Sequence, residues 1–493
     1  MRVSRCAAKC HGCGHLTRRE FVAGASASVA AASVLGGWLS GSGGRTVLAD
    51  GIKQQGPAST LVPTIKACFV RRKGEYGMRW PGQVYDGKAA RKKHTGQITA
   101  AAKELGVTLD LAPEPIYSPE EADAWVAKAR QQKPDGLLVV LLDRQEHAWP
   151  TAYKAIDTKI PTVVFSPVGS SFTTNTAPVA NKPGCFICST DDFRQVRYGM
   201  KMLGAGAKMK ATRCLVIRGN KRADGEIRGL GIGLRVIPAA AFLEEYNKTP
   251  ESDEVKAMAA ELIKGAKRLV KATEQDVRNG IKSYVVARTL LAREKCDAIT
   301  MDCLGALGKS KVSLPCIAWS KMNDEGIPAA CEADLGAVAT HIITQYLFDR
   351  PGFQQDPVAE TAREAIIGAH CCCAVRLNGF GTPPVEYDIV HHHGMRDATA
   401  RPVWKVGQRM TSADVLLEPD PKKPHKMLIS AGDVLQNVAV PPAGGCVVSV
   451  MVKFDNVSNV LAYPGFHQIF FYGDYKRDLA AFCRLFGIQP VVV

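Results

Sequence analysis

No segment of this chain combines a dense block of Lys and Arg with interleaved aromatics, although its 493 residues carry a formal net charge of +16. Residues 1–49 hold Arg2, Arg5, Lys9, Arg18, Arg19 and Arg45 against Glu20, a local excess of +5, and the remaining charge of about +11 is spread thinly. That pattern argues against a nucleic-acid-binding surface, which gathers basic residues on one face. No internal repeat of solenoid length is present, which excludes a stacked-repeat architecture. The 16 cysteines lack the regular spacing of a small disulfide scaffold. The glycines of "RGLGIGLRVI" precede a strand instead of following one, so a dinucleotide-binding fingerprint fails on context. They read as a turn near a ligand or as close packing. What remains is a globular chain long enough for two or three domains, each able to bury a large core.

The first residues read as an export address. "LTRREFVAG" places Thr17, Arg18 and Arg19 before Phe21, a weakly apolar stretch runs to Leu39, and "TVLAD" offers small Val47 and Ala49 before Asp50. A twin-arginine signal over 1–49 is expected, with the mature chain starting near Asp50 in the periplasm or another extracytoplasmic space after transient membrane contact. Retention as an anchor is the competing reading; the stretch is near the spanning minimum and rich in Gly and Ser. Cys6, Cys10 and Cys13 have the Cys-x3-Cys-x2-Cys spacing of iron–sulfur radical enzymes. That chemistry needs a strand and barrel immediately downstream, and here an export signal follows. Because the twin-arginine route carries folded proteins, most of the other cysteines read as buried thiols rather than bridges. "CCC" at Cys371–Cys373 reads as a buried strand segment, where adjacent side chains on alternate faces make a poor metal site.

From Thr64 strands and helices alternate: "TIKACFV", a helix through "GQITAAAKELG", "VTLDL", and "SPEEADAWVAKARQQ" with a capping box from Ser118 and Glu121. "DGLLVVLLD" and "PTVVFSP" are continuous apolar runs, as in strands buried on both faces. A doubly wound parallel-sheet unit is expected over 50–180. A second, expected over 181–355, has strands "RCLVIRG", "LRVIP", "DAITMD" and "LPCIAWS" with helices "SDEVKAMAAELIKGAKRLV" and "TEQDVRNGIKSYVVARTLLAR". After Pro351 the runs are short, alternating and broken by Pro, Gly and Asp, which predicts a β-rich, barrel-like C-terminal domain over 356–493.

Between the second unit and that domain lies "NDEGIPAACEADLGA", with four acids from Asp324 to Asp334. Leu335, Val338, Ala339, Ile342, Ile343, Tyr346 and Leu347 then predict an amphipathic helix with Asp334 at its N-cap. A cap and an Asn/Gly turn would account for Asp334 and "NDEG" without further function. Glu332 is harder to absorb. In an extended chain it and Asp334 would point to one side at the carboxyl end of a parallel sheet, where ligands of such sheets bind. Two like charges so close call for a cation or a shared proton. His467, on a predicted strand in "GFHQIFFYGDYKRDLAAFCRLFGI", is structural unless the fold carries it to the acids.

"LPCIAWSKMNDEGIPAACEADLGAVATHII", "GAHCCCAVRLNGF" and "GFHQIFFYGDYKRDLAAFCRLFGI" together resemble the L-fucose isomerase and L-arabinose isomerase superfamily, most closely its fucose-isomerase-like branch, over residues 295–493. The resemblance implies a homo-oligomeric aldose–ketose isomerase that holds Mn²⁺ or a similar divalent ion, grips a free sugar and moves a proton between C1 and C2 through an enediol. By position it implies Glu332, Asp334 and His467 as metal ligands and Asp334 and Glu325 as acid/base residues. A further carboxylate is expected upstream of Glu332, with Glu325 and then Asp302 as candidates, and His370 and His391–His393 could add ligands. The rival is a non-catalytic exported sugar-binding or sensor protein, suggested by "GQITAAAKELGV", "PDGLLVVLLD" and "KIPTVVF".

Overall fold

The computed structural model describes residues 56–74, 77–79, 83–392, 396–439 and 446–493. The export segment, Cys6, Cys10 and Cys13, and His393 lie outside them.

Besides a short hairpin of Gly77–Arg79 with Gln83–Tyr85, the first five sheet strands are β1 (Thr64–Val70), β2 (Thr108–Leu111), β3 (Gly136–Leu141), β4 (Thr162–Ser166) and β5 (Cys185–Ser189), an all-parallel sheet ordered β2-β1-β3-β4-β5. Every residue of β3 and β4 is buried, because helices cover both faces. The sheet reaches past the expected boundary at 181, since β5 pairs in register with β4. Ser118 caps Pro119–Gln132 as read, accepting from the Glu121 amide at 3.3 Å, while the Glu121 carboxylate takes the Tyr117 amide.

Next come β6 (Arg213–Ile217), β7 (Ala223–Ile227), β8 (Ile232–Ile237), β9 (Arg268–Val270), β10 (Ala298–Met301) and β11 (Ala329–Cys331). Five of these form the second sheet, ordered β11-β10-β6-β8-β7, parallel except for the edge strand β7. Gly229 and Gly231, both at positive φ, make the β7–β8 turn, so the glycine-rich run is hairpin punctuation. Helix 253–265 stops at Gly265 and β9 leaves to pair with the C-terminal part, where a longer helix was expected.

"LPCIAWS" is a helix, Cys316–Asp324, and not a strand. It is buried from Cys316 to Ser320, and a short all-buried run has no periodicity by which the two states can be told apart. "NDEG" is accordingly the last turn and exit of that helix, with Glu325 at the C-cap and Gly326 at φ +74°. Helix Leu335–Phe348 is buried almost all round, including Thr340, His341, Thr344 and Gln345, because the α/β sheets and the C-terminal domain enclose it. The sequence pattern predicts an amphipathic helix, with one face less buried.

The C-terminal strands are β12 (Phe353–Glu360), β13 (Ala365–His370), β14 (Tyr387–His392), β15 (Arg396–Pro402), β16 (Arg409–Leu416), β17 (Lys426–Asn437), β18 (Val448–Phe454), β19 (Gln468–Tyr472) and β20 (Gln489–Val492). β14 and β15 form a small sheet with β9, and β16-β19-β12-β13-β18-β17 closes on itself through the β16–β17 ladder. The result is a six-stranded barrel packed inside with Phe353, Trp404, Met410, Val450, Val452 and Phe470. The architecture is therefore two α/β sheet units followed by a closed β-barrel. No helix among the described residues is long and apolar enough to cross a membrane.

Candidate metal centre

The second sheet's edge strand and three adjacent barrel strands converge. β11 ends at Cys331, whose amide donates to the Gln354 side chain on β12 at 2.8 Å, tying sheet to barrel. Within the barrel, Gln355 on β12 faces Gln468 on β19, and Asp356 faces Ala369 on β13. That register sets Asp356 beside both His467, which precedes β19, and His370, which ends β13.

The structure brings Glu332, Asp334 and His467 together, but not in the extended form expected of Glu332-Ala333-Asp334. Glu332 and Ala333 are left-handed at φ +64° and +54°, and His467 is at +44°. Each such conformation in a non-glycine residue costs about 1–3 kcal/mol and persists where surrounding structure fixes it, often at a functional site. The turn sends the two carboxylates to opposite nitrogens of one imidazole. Asp334 Oδ2 lies 2.9 Å from His467 Nδ1, while Glu332 Oε2 lies 3.5 Å from Nε2. Asp334 is also the expected N-cap, with Oδ1 accepting from the Ala337 amide at 2.8 Å.

His467 Nε2 further lies 3.2 Å from Asp356 Oδ1, and His370 Nε2 lies 3.7 Å from Glu332 Oε1. The cluster Glu332, His370 and His467 can bring one ligand atom from each residue within 4.8 Å of one another. His370 Nε2 is buried and lacks a hydrogen-bond partner, while the buried His467 Nε2 and Asp356 Oδ1 have each other. An orphaned polar atom is costly in a folded interior, and this one, like His467 Nε2, faces the Glu332 carboxylate. Burial alone would lower the pKa of His467, yet the Asp334 and Asp356 carboxylates raise it to about 9. Asp334 is held below its ordinary value: burial opposes ionisation, but His467 and the Ala337 amide outweigh it. Buried Asp414, which accepts from the Phe466 amide at 3.3 Å, is pushed up to about 7 by burial and by Asp334.

Glu325 has different surroundings. Its carboxylate takes the Tyr284 hydroxyl at 2.7 Å, Arg288 at 3.2 Å and Lys321 at 2.9 Å, and it lines a cavity of about 500 Å³ with Asp324, Arg376 and Tyr387. None of these groups belongs to the histidine cluster. Asp302 caps helix Cys303–Leu307, and His391 pairs with Asp276 at 2.9 Å. The further carboxylate at His467 is Asp356, downstream of Glu332 where one upstream was expected. Its only trace in the sequence is the polar run "FQQDP" opening a strand otherwise packed in the barrel. The thirteen cysteines among the described residues are free, as expected. Cys371–Cys373 lie just beyond the end of β13 and not within a strand.

No family model and no curated protein matches the chain. Among solved structures, an ABC-transporter solute-binding protein from Burkholderia multivorans, with an unknown ligand assigned as α-D-erythrofuranose, is similar at 14% identity and a TM-score of 0.17. The match covers 49% of this chain and 80% of that one, and at that TM-score it carries no argument.

Proposed function

We propose that Glu332, Asp356 and His467 hold a divalent cation, and that the protein binds a free sugar there in the manner of an aldose–ketose isomerase. The observation that carries this reading is the convergence of buried Asp356 Oδ1 and His467 Nε2, 3.2 Å apart, with Glu332 alongside, at the junction of sheet and barrel. Two carboxylates with one or two imidazoles suit Mn²⁺, Fe²⁺ or Zn²⁺. A bound ion would supply Lewis-acid polarisation to neighbouring hydroxyl and carbonyl oxygens. Asp334, hydrogen-bonded to Nδ1, fixes the tautomer that leaves the Nε2 lone pair facing Asp356 and Glu332, an outer-carboxylate arrangement common to histidine ligands. Its role is thus orientation from behind His467, where the sequence suggested a direct ligand. Asp414, buried and close to neutrality in its pKa, is the nearby carboxyl suited to holding a proton at physiological pH.

A second reading, sugar binding without turnover, is favoured by a specific observation. Both acid/base candidates from the sequence are engaged: Asp334 by His467 and the Ala337 amide, Glu325 by Tyr284, Arg288 and Lys321. The test is calorimetric titration with free aldoses of chelated and Mn²⁺-loaded protein, followed by an assay for ketose. Binding that needs the metal, with ketose formed, supports the isomerase reading; metal-dependent binding without ketose supports the binder. Equal sugar binding with and without metal, with no ketose formed, overturns the isomerase reading and leaves the binder, and absence of sugar binding in both states overturns both.

A further inference from the structure

His370 presents its two nitrogens to two chemically different surroundings. Nε2 faces the Glu332 carboxylate, whereas Nδ1 lies 3.6 Å from the sulfur of Cys371 and 3.6 Å from that of Cys372. The chain bends as it leaves β13, so these neighbouring cysteines do not point to alternate faces and both reach the same ring nitrogen. The Cys331 thiol, at the end of β11, contacts those of Cys303, Cys371 and Cys372, and Cys316 Sγ lies 3.4 Å from Cys371 Sγ. Cys331, His370 and Cys371 each offer a ligand atom within 4.8 Å of the others. Cys316, Cys331, Cys371, Cys372 and His370 are all at most 5% exposed.

We infer that Cys331, Cys371, Cys372 and His370 Nδ1 form a second, thiolate-rich metal site, suited to Zn²⁺ and distinct from the oxygen–nitrogen site on the other side of the His370 ring. A tetrahedral Zn²⁺ with Zn–S of about 2.3 Å and Zn–N of about 2.0–2.1 Å requires S···N edges of about 3.5 Å and S···S edges of about 3.8 Å. The two 3.6 Å separations meet the S···N requirement, and Cys331, His370 and Cys371 already bring their ligand atoms within 4.8 Å of one another. Three cysteines and one histidine are a closed structural set, with no open position for substrate. The ligands come from β11 and from the end of β13, so the ion would fasten the second sheet to the barrel. His370 Nε2–H, turned toward Glu332 Oε1 at 3.7 Å, then has the outer carboxylate that a histidine ligand ordinarily keeps. Binding releases the thiol protons to solvent, and three thiolates about one Zn²⁺ leave a single negative charge.

The test uses the full chain purified without added metal. One zinc per chain should survive dialysis against EDTA and be released in step with titration by a mercurial thiol reagent. Substitution with Co²⁺ should give intense sulfur-to-metal charge-transfer absorption in the near ultraviolet. That absorption should be lost in Cys371→Ser and Cys372→Ser, and kept in Cys185→Ser, a buried thiol of the first sheet. It should also persist in Asp356→Asn, which disables the carboxylate site while leaving Glu332 on His370, so failure of one site is distinguishable from failure of the other. If the serine variants do not fold, wild-type cobalt absorption and mercurial-triggered release decide alone. Absence of retained metal together with only weak visible cobalt bands overturns the inference, as does a disulfide between Cys316 and Cys371 in protein isolated with its thiols blocked.

Discussion

Asp334→Asn separates the two jobs of one side chain. The asparagine oxygen replaces Oδ1 as acceptor of the Ala337 amide, so the cap on helix Leu335–Phe348 changes by only a few tenths of a kcal/mol. The other oxygen, 2.9 Å from His467 Nδ1, becomes an NH₂ group. A donor there meets Nδ1 only if that nitrogen gives up its proton, which moves to Nε2, the atom facing Asp356 and Glu332. The lone pair needed for ligation is lost. Losing such an outer carboxylate lowers metal affinity about 10- to 100-fold. It also removes one of the two groups that raise the His467 pKa to about 9, at a cost of about 1–2 kcal/mol in metal-free stability near pH 7. Calorimetric titration with Mn²⁺ at constant pH, paired with urea unfolding of the metal-free protein, measures both effects. Wild-type metal affinity in a folded Asp334→Asn variant would refute the orienting role and return Asp334 to a plain helix cap. Asp334→Ala should match it in affinity and lose about 1 kcal/mol more stability.

Three further outcomes follow from the same geometry. Since His467 must shed its proton to ligate and titrates at about 9, metal affinity should rise about tenfold per pH unit from 7 to 9 and then flatten, whereas a flat profile would contradict ligation by His467; in the metal-free protein the same shift gives stability that is complete below about 6.5 and lost as pH rises through about 9. Fully buried His341 has its pKa lowered to about 3 by burial, so the unfolded chain binds its proton first and stability falls by about 1.4 kcal/mol per pH unit below 6.5; His341→Leu should remove that slope, and identical pH profiles for variant and wild type would show that His341 is not held neutral. Glu325→Gln should leave metal affinity within twofold of wild type, because its partners Tyr284, Arg288 and Lys321 lie outside the histidine cluster, and a tenfold loss would restore Glu325 to the site.

The parallel strands were legible because "DGLLVVLLD" and "PTVVFSP" are apolar without interruption, and the barrel because short alternating runs broken by turn residues have few other solutions. "LPCIAWS" misled because helix Cys316–Asp324 is buried on every side, which erases the period on which the reading depends. At the site, Glu332, Asp334 and His467 stood out through their neighbours in sequence, yet their relative roles did not. The left-handed turn at Glu332 and Ala333 that sends two carboxylates to opposite edges of one imidazole leaves no mark in residue type, since neither is Gly or Asn. Asp356 went unseen because strand pairing with β13 and β19, and not proximity in sequence, sets it there. The thiol cluster was misjudged by treating Cys371–Cys373 as a strand, whereas the chain has already left β13.

The central claim is that Glu332, Asp356 and His467 share one divalent ion. Anomalous diffraction from crystals grown with Mn²⁺ tests it directly. The account predicts a peak at ligand distance, about 2.0–2.2 Å by analogy with first-row ions, from His467 Nε2 and from a carboxylate oxygen of both Glu332 and Asp356, with Asp334 remaining on Nδ1. Crystals in which Nε2 instead donates a hydrogen bond to Asp356 at saturating Mn²⁺, with no peak within reach of the three side chains, would contradict it.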